Sequence, residues 1–187
     1  TMEGSGELGR AIKVAEFLDN FSIGVGGGGF KIQRVVETGP QWNLVEWETG
    51  AKWRVGTANI VWARKYVEFP VESEDDLDAL ELPDPDDPSR YEGVEKSVRY
   101  AVDEGFFPAG GINGFFSGVW YFLRGPLEVS LKDMYMRKDF YKKLIAKMAQ
   151  FNLKAEKNLL ERGVMIVGWH DDLGYRGGTF MNPRLYE

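Results

Sequence analysis

The long apolar repeat between residues 138 and 161 constrains the fold more than any other feature of the chain. Its apolar residues recur every three or four positions, as on one face of a helix, and they are Phe140, Leu144, Met148, Phe151, Ala155 and Leu159. Gly163 follows this helix, and the short apolar run 164–169 then predicts a buried strand. A long amphipathic helix that leads into such a strand favours an α/β fold.

The residues before that helix alternate between helix and strand in the same way. A first helix, predicted to end at Gly105, has one apolar face made of Tyr91, Val94, Val98 and Ala101. The run "FFPAGGI" predicts a strand. Asn113 is predicted to cap a helix that ends at about Arg124, and residues 127–135 are predicted to form a short helix. From residue 89 onward the sequence therefore predicts βα units and a parallel sheet.

The first 70 residues predict a different architecture. A helix over 7–19 precedes a stretch rich in Trp and Val, in which Trp47 and Trp53 flank a turn at Thr49 and Gly50. That pattern is typical of a β-hairpin, and "KYVEFPV" adds another extended piece. We expect one domain, with a helix and hairpin region in 1–70, a connection in 71–88 and βα units in 89–187.

The connection is acidic, with nine carboxylates in "ESEDDLDALELPDPDD". Ser73 and Asp76 have the spacing of a capping box, which predicts a short helix over 74–81. Charge runs of this kind form solvated surface, and the spacing lacks the glycine of an EF-hand calcium loop. The segment therefore predicts a surface connection.

Composition excludes several classes of protein. The 187 residues carry 23 Lys and Arg against 29 Asp and Glu, a net charge of -6, which opposes binding to nucleic acid or to an anionic membrane surface. The chain has no cysteine, so it has no disulfide, thiol nucleophile or thiolate ligand. The uncharged run 105–123 is interrupted by glycines and Pro108, which favour a strand, a turn and a buried helix over a membrane span. We expect a cytoplasmic protein.

A glycine run over 24–29 matches the pattern G-x-G-x-x-G of dinucleotide-binding proteins. The sequence that follows, "FKIQRVVE", lacks the helix start that would hold a pyrophosphate. The run is therefore expected to be a mobile lid or a plain loop.

The chain's one histidine stands beside two aspartates where the last predicted strand ends, in "VGWHDDLGYRGG". On an extended chain His170 and Asp172 point to one side and Asp171 to the other. Such a group could share a proton or bind a divalent metal. The alternative is a turn in which the aspartates accept hydrogen bonds from backbone amides before Gly174.

Tyr121 lies four residues after Ser117 and three before Arg124 on a predicted helix, so the three side chains can share one face. A phenol in that place could donate a proton to a substrate oxygen. The alternative is a core tyrosine between Trp120 and Phe122, which is common for this residue type.

Several longer stretches together carry a resemblance: "VEFPVESEDDLDALELPDPDDPSRYEGVEKSVRYAVDEG", "WYFLRGPLEVSLKDMYMRKDFYKKLIAKM" and "ERGVMIVGWHDDLGYRGGTFMNPRLYE". In this order they resemble the uroporphyrinogen decarboxylase superfamily, which includes the decarboxylases of haem synthesis and methylcobamide-dependent methyltransferases. "YFLRG" is similar to the decarboxylases' active-site Tyr-x-x-x-Gly, and "GWHDDLGY" is similar to the Asp-Asp-Leu-Gly strand end of methyltransferase-like members. "NPRLYE" is similar to the family's next helix start, with Asn182 as its cap.

The resemblance covers about residues 40–187 and implies a (β/α)₈ barrel. It implies catalytic roles for His170, Asp171, Asp172 and Tyr121. It implies substrate contacts for Asn113, Arg124, Trp169 and Arg176, and no metal ligand within this chain.

Some family features are missing from the sequence. A full barrel needs about 250 residues, and we find neither the first strand with its arginine-rich loop nor the last strands. "FSI" lacks the aspartate of the family's Phe-Ser-Asp-Ile, and the methyltransferases' zinc motif His-x-Cys is absent. We therefore expect a partial barrel, a truncated member that a missing chain segment, a partner or a homo-oligomer completes.

Three functions remain open. The Asp-Asp-Leu-Gly resemblance favours methyl transfer involving a corrinoid, with a corrinoid protein as partner and any zinc ligands outside this chain. Cofactor-free decarboxylation of a tetrapyrrole would use Asp171 or Asp172 to stabilise a protonated pyrrole, but only Arg124 and Arg176 are at hand for the substrate's carboxylates. The third possibility is a catalytically inert binding or assembly fragment.

Overall fold

The computed structural model describes the backbone of residues 2–57 and 65–186, and the side chains from residue 6 onward. These residues form both helices and sheets, which confirms the α/β class. No sheet among them closes into a barrel.

The helices of the described residues are α1 (Met2–Phe17), α2 (Glu74–Ala79), α3 (Val94–Asp103), α4 (Phe116–Phe122), α5 (Leu127–Met136) and α6 (Lys138–Glu161). The strands are β1 (Ser22–Gly27), β2 (Ile32–Thr38), β3 (Trp42–Trp47), β4 (Lys52–Gly56), β5 (Lys65–Glu68), β6 (Phe107–Asn113), β7 (Ile166–His170), β8 (Gly174–Tyr175) and β9 (Gly178–Thr179). Single 3₁₀ turns lie at Pro88–Tyr91 and Pro183–Leu185.

The helix predictions from apolar spacing are largely confirmed. α6 has the predicted bounds, and all six residues of its predicted apolar face are buried. α2 begins with the predicted capping box, because the Ser73 hydroxyl accepts the backbone N–H of Asp76 while the Asp76 carboxylate accepts that of Ser73. The Ser73 hydroxyl also donates to the Asp76 carboxylate at 2.8 Å, and this hydrogen bond, followed by those from the backbone N–H groups of Glu72 and Ser73, lowers the pKa of Asp76. α2 ends two residues before the predicted end, at Ala79.

The chain divides into two compact units, each built from three stretches of sequence. The first unit contains Thr1–Gly29, Asp84–Asn113 and Phe151–His170, and the second contains Phe30–Pro83, Gly114–Gln150 and Asp171–Glu187. The single domain expected from the chain length stays a prediction.

The first unit is built on a parallel sheet of three strands in the order β1-β6-β7. Ser22 pairs with Phe107 where β1 and β6 begin, and Asn113 pairs with His170 where β6 and β7 end. α3 packs against β1 and β6 through buried Val98 and Ala101. The predicted parallel sheet is therefore present, with the ends of β6 and β7 side by side.

Residues 24–27 of the glycine run are part of this sheet, so the expectation of a lid or plain loop was wrong for them, and only Gly28 and Gly29 lie beyond the strand. Residues 22–27 form β1, which lies so close to β6 that a Cβ atom on Gly27 would lie 2.5 Å from the Gly111 carbonyl oxygen. Contact between two backbones requires glycine. The run is followed by β2 and not by a helix, so it lacks the context of a dinucleotide site.

β7 differs from the buried strand that its apolar sequence predicts. Among the described residues it pairs only with β6, and it is an edge strand. Met165 just before it is 56% exposed and Ile166 is 37% exposed, whereas Val164 is buried. The prediction failed because apolar composition alone does not distinguish a central strand from an edge strand.

The second unit contains an antiparallel sheet in the order β2-β3-β4-β5, which includes the predicted hairpin. The rings of Trp47 and Trp53 pack 4.7 Å apart across β3 and β4, and Gly50 takes the left-handed turn conformation with φ of 89°. Trp53 donates its indole N–H to the Tyr121 carbonyl at 3.1 Å, and the Thr49 hydroxyl donates to that of Phe122 at 3.0 Å. The hairpin therefore anchors the end of α4.

In the part of the chain that the structure describes, no helix has the length and apolarity to cross a membrane. The uncharged run 105–123 forms β6 and α4, of seven residues each. The prediction of a strand, a turn and a buried helix for this run is confirmed.

Candidate functional site

The ends of β6 and β7 in the first unit carry three of the predicted site residues. Asn113 and His170 are partners in the sheet, and Trp169, which is half-buried, pairs with Ile112. His170 is exposed, and its imidazole lies over β6, because a Cβ atom on Gly111 would come within 2.8 Å of its Cε1 atom. The carboxyl edge of a parallel sheet is where α/β proteins bind ligands, and His170 lies at the strand end where the sequence predicted it.

Asn113 is not the helix cap that the sequence predicted. It is the last residue of β6, and its side-chain Nδ2 is buried without a hydrogen-bond partner among the described residues. Its backbone carbonyl accepts a hydrogen bond of 2.8 Å from Asn152, which is fully buried. α4 begins two residues too late for the Asn113 side chain to reach its first turn.

The cap of α4 is Asp171, in the second unit. Its Oδ2 accepts the backbone N–H of Phe115 at 2.8 Å and of Phe116 at 3.4 Å, and its Oδ1 accepts that of Ser117 at 2.6 Å. The Ser117 hydroxyl donates to the same Oδ1 at 2.9 Å, and the Tyr186 hydroxyl donates to Oδ2 at 3.2 Å. Both oxygens are therefore occupied by donors, as expected of a structural carboxylate at a helix start.

Asp172, the next residue, accepts a hydrogen bond of 3.3 Å from the hydroxyl of Tyr121. Asp172 is exposed and Tyr121 is half-buried. Ser117 and Tyr121 are one helical turn apart, so two adjacent aspartates contact two successive turns of α4. The sequence put Ser117, Tyr121 and Arg124 on one helix face. Ser117 and Tyr121 both contact the aspartates, whereas Arg124 lies beyond the end of α4 and pairs with Asp133.

Two further tyrosines, Tyr186 and Tyr141, interact with Asp171, and no local sequence pattern identified them. The 3₁₀ turn Pro183–Leu185, capped by Asn182 as predicted, precedes Tyr186 and its contact with Asp171. Burial, the negative charge of Asp171 and that hydrogen bond raise the pKa of Tyr186. Burial, together with the negative charge of Asp171, raises the pKa of Tyr141, whereas a hydrogen bond with Ser130 lowers it. The contact of Tyr186 with Asp171 leaves no signal in local sequence spacing.

The two predicted substrate-binding arginines are placed differently. Arg124 forms an ion pair of 2.8 Å with Asp133, whose side chain is 6% exposed, and it also donates to the carbonyl of Val71 at 3.4 Å. Its charge is therefore committed to a buried carboxylate. Arg176 lies in the turn between β8 and β9, is exposed, and forms no ion pair with a described residue.

No three His, Asp or Glu side chains in residues 2–57 and 65–186 come together in a way that could hold a metal ion. Comparisons of the chain with models of protein families, with curated proteins and with solved structures found no match.

Among these residues, the pair of Tyr121 and Asp172 is the one that can transfer a proton. A phenol that donates to an exposed carboxylate can pass a proton to or from a bound molecule. Asp171 holds the helix that carries the phenol, since its own lone pairs are used by backbone and side-chain donors. The site thus combines one positioning carboxylate with one available carboxylate.

Proposed function

We propose that this chain is a member of the uroporphyrinogen decarboxylase superfamily and takes part in methyl transfer involving a corrinoid. The observation that carries the proposal is the hydrogen bond of 3.3 Å between Tyr121 and Asp172. Both residues occupy positions that the resemblance assigns to the reactive site. Tyr121 lies on the helix after β6, and Asp172 follows β7.

The topology of the first unit supports the partial (β/α)₈ barrel that this proposal needs. Its three parallel strands follow the same order in the sheet as in the chain, β1-β6-β7. A barrel adds each new strand beside the preceding one, whereas an open doubly wound sheet reverses its order at a switch point. In this proposal β2 to β5 are an insertion between the first and second barrel-type strands.

The residues of the chain have separate roles in the proposed reaction. Asp172 would accept a proton from the bound substrate or return it, and Tyr121 would keep the carboxylate oriented through the hydrogen bond that its hydroxyl donates. Asp171 positions Tyr121 by fixing the first turn of α4. These roles depend on the hydrogen bonds of Ser117 with Asp171 and of Tyr121 with Asp172.

A bound corrinoid would supply the cobalt that carries the methyl group. Asn113, Trp169 and His170 would hold it, because an indole face together with amide and imidazole groups suits a flat macrocycle edged with amides. The buried, unpartnered Nδ2 of Asn113 is consistent with such a ligand. The described residues do not fit the zinc site of the methyltransferases, since they include no cysteine and no cluster of three ligands.

Decarboxylation of a tetrapyrrole is the second candidate, because the same hydrogen bond between Tyr121 and Asp172 would also serve it. The pair of Tyr121 and Asp172 can move a proton without any cofactor. The charge distribution opposes it, because a substrate with many carboxylates needs several free cations and Arg124 is already paired with Asp133.

Binding experiments on the purified chain test the proposal directly. We would titrate it with methylcobalamin and, in parallel, with uroporphyrinogen, and measure the heat of binding of each ligand by calorimetry. The proposal expects binding of the corrinoid alone, which Asn113→Ala weakens and Asp103→Asn, an exposed change on α3, does not. Binding of uroporphyrinogen alone would support the decarboxylase function instead of methyl transfer. Binding of neither ligand would favour the inert binding fragment.

A further inference from the structure

Helix α1 has apolar side chains on two of its faces. Ile12 and Ala15 are buried, and α1 packs against β1 in the first unit. Val14 and Phe17 lie on another face and are 56% and 87% exposed. Leu18, which is 64% exposed, continues this second face, because its backbone N–H still donates to the Val14 carbonyl at 3.0 Å. The second face therefore meets solvent and not the core.

Two more exposed rings follow this second face, where the parallel sheet begins. Phe21 and Phe107 are 66% and 51% exposed, and their ring centroids lie 6.2 Å apart. Their backbones are joined as well, since Phe107 donates its N–H to the Phe21 carbonyl at 3.0 Å. Phe21 comes only three residues after Leu18. We call these five side chains the apolar patch: Val14, Phe17, Leu18, Phe21 and Phe107.

The apolar patch has the area that a pair of identical chains needs. At about 200 Å² for a whole phenylalanine side chain, the exposed fractions of the three rings amount to about 400 Å² in one copy. Two copies that met through the patch would bury about 800 Å² from these rings. Val14 and Leu18 raise the buried area to the roughly 1,000 Å² of a specific interface. Monomeric proteins rarely expose a continuous apolar patch of this size.

The exposed charges of α1 differ in sign between its two ends. Arg10 and Lys13 outweigh Glu7, so the end of the helix that precedes the patch is positive. Glu16 and Asp19 make the other end negative. None of these five side chains forms an ion pair with a residue in the described ranges. An antiparallel second copy would bring opposite charges together, whereas a parallel copy would bring like charges together.

We propose that the chain forms a twofold dimer in which the apolar patches of two copies face each other and their α1 helices run antiparallel. A twofold interface uses the same surface of both copies, so the surface must be complementary to itself. The patch meets this condition in apolar area and in charge. Phe17, the most exposed of its rings, would be a central contact. The dimer is independent of the proposed function, because it uses none of the residues assigned to that site.

Sedimentation velocity of the purified chain, from micromolar to submillimolar concentrations, measures the association. The proposal expects a monomer–dimer equilibrium. Phe17→Glu places a charge at an exposed position of the patch and should weaken the dimer at least about tenfold, with an unchanged circular dichroism spectrum. Met136→Glu, at a position on α5 that is 74% exposed, is the matched control and should associate like the parent chain. A parent chain that stays monomeric, or equal association of the parent and the Phe17→Glu variant, would overturn the proposal.

Two further measurements test the orientation of the helices and the nature of the partner. Lys13→Glu makes both ends of α1 negative and should weaken the dimer, more at low salt than at high salt. Association equal to that of the parent chain would overturn the antiparallel arrangement. Flotation with phosphatidylcholine vesicles tests a lipid surface as the alternative partner, and the proposal expects the chain to stay unbound. A chain that binds the vesicles and remains monomeric without them would overturn the dimer.

Discussion

Replacing Asp171 by alanine should destabilise the chain far more than the same change at Asp172. Asp171 accepts three backbone N–H groups at the start of α4, and two of them belong to the buried residues Phe116 and Ser117. Loss of a cap costs about 0.5–2 kcal/mol, and each buried amide left unpaired adds about 1–3 kcal/mol. Partial relaxation of the helix start reduces this sum, so we expect a loss of about 3 kcal/mol.

For a chain of this size, 3 kcal/mol corresponds to a fall in Tm of about 6–12 °C. Asp172→Ala removes one hydrogen bond of 3.3 Å at an exposed carboxylate and should cost less than about 1 kcal/mol. Urea unfolding, followed by far-UV circular dichroism and by tryptophan fluorescence, measures both losses. The distinction between a positioning and an available aspartate would be wrong if the two variants lost equal stability.

Three further outcomes are expected. Asp172→Asn should lower the turnover of the proposed reaction by about a hundredfold, as for loss of an acid-base group, while circular dichroism stays unchanged; unaltered turnover would assign Asp172 to a turn. Gly27→Ala should lower the free energy of unfolding in urea by about 3 kcal/mol, because the new Cβ would meet the Gly111 carbonyl. Gly24→Ala has open space around its Cβ and should lower it by less than about 1 kcal/mol. Similar losses of stability in the two variants would contradict the close approach of β1 and β6. Because burial raises the pKa of Tyr141 above its ordinary 10.0, this tyrosine ionises first in the unfolded chain, so its contribution to stability should be constant below about pH 10 and fall above it. Tyr141→Phe should make the loss of stability above about pH 10 less steep, and an unchanged loss would refute this.

Elements with local signals could be predicted well from the sequence. The spacing of six apolar residues defined α6, because a buried helix face imposes a period of 3.6. The box of Ser73 and Asp76 identified the start of α2, and Trp47 and Trp53 around Gly50 identified the hairpin. In each case the residues that decide the structure lie within a few positions of one another.

Two predictions that depended on distant partners failed. Glycines at 24–27 suggested a loop, but the nearby backbone of β6 is what requires them. Asn113 has the residue type of a cap, but the cap of α4 comes from Asp171, more than fifty residues later. The predicted site residues Tyr121 and Asp172 do meet. The contact of Tyr186 with Asp171 joins two side chains fifteen residues apart, with the β8–β9 hairpin between them in the sequence, and no local pattern predicts it.

The direct succession of Asp171 and Asp172 has a consequence for how this loop tolerates change. Inserting one residue directly after His170, where β7 ends, would move Asp171 to the position of Asp172, and deleting Asp171 would move Asp172 to the position of the anchoring carboxylate. The spacing from His170 to the two aspartates should therefore tolerate a change of length less well than the β8–β9 hairpin that follows.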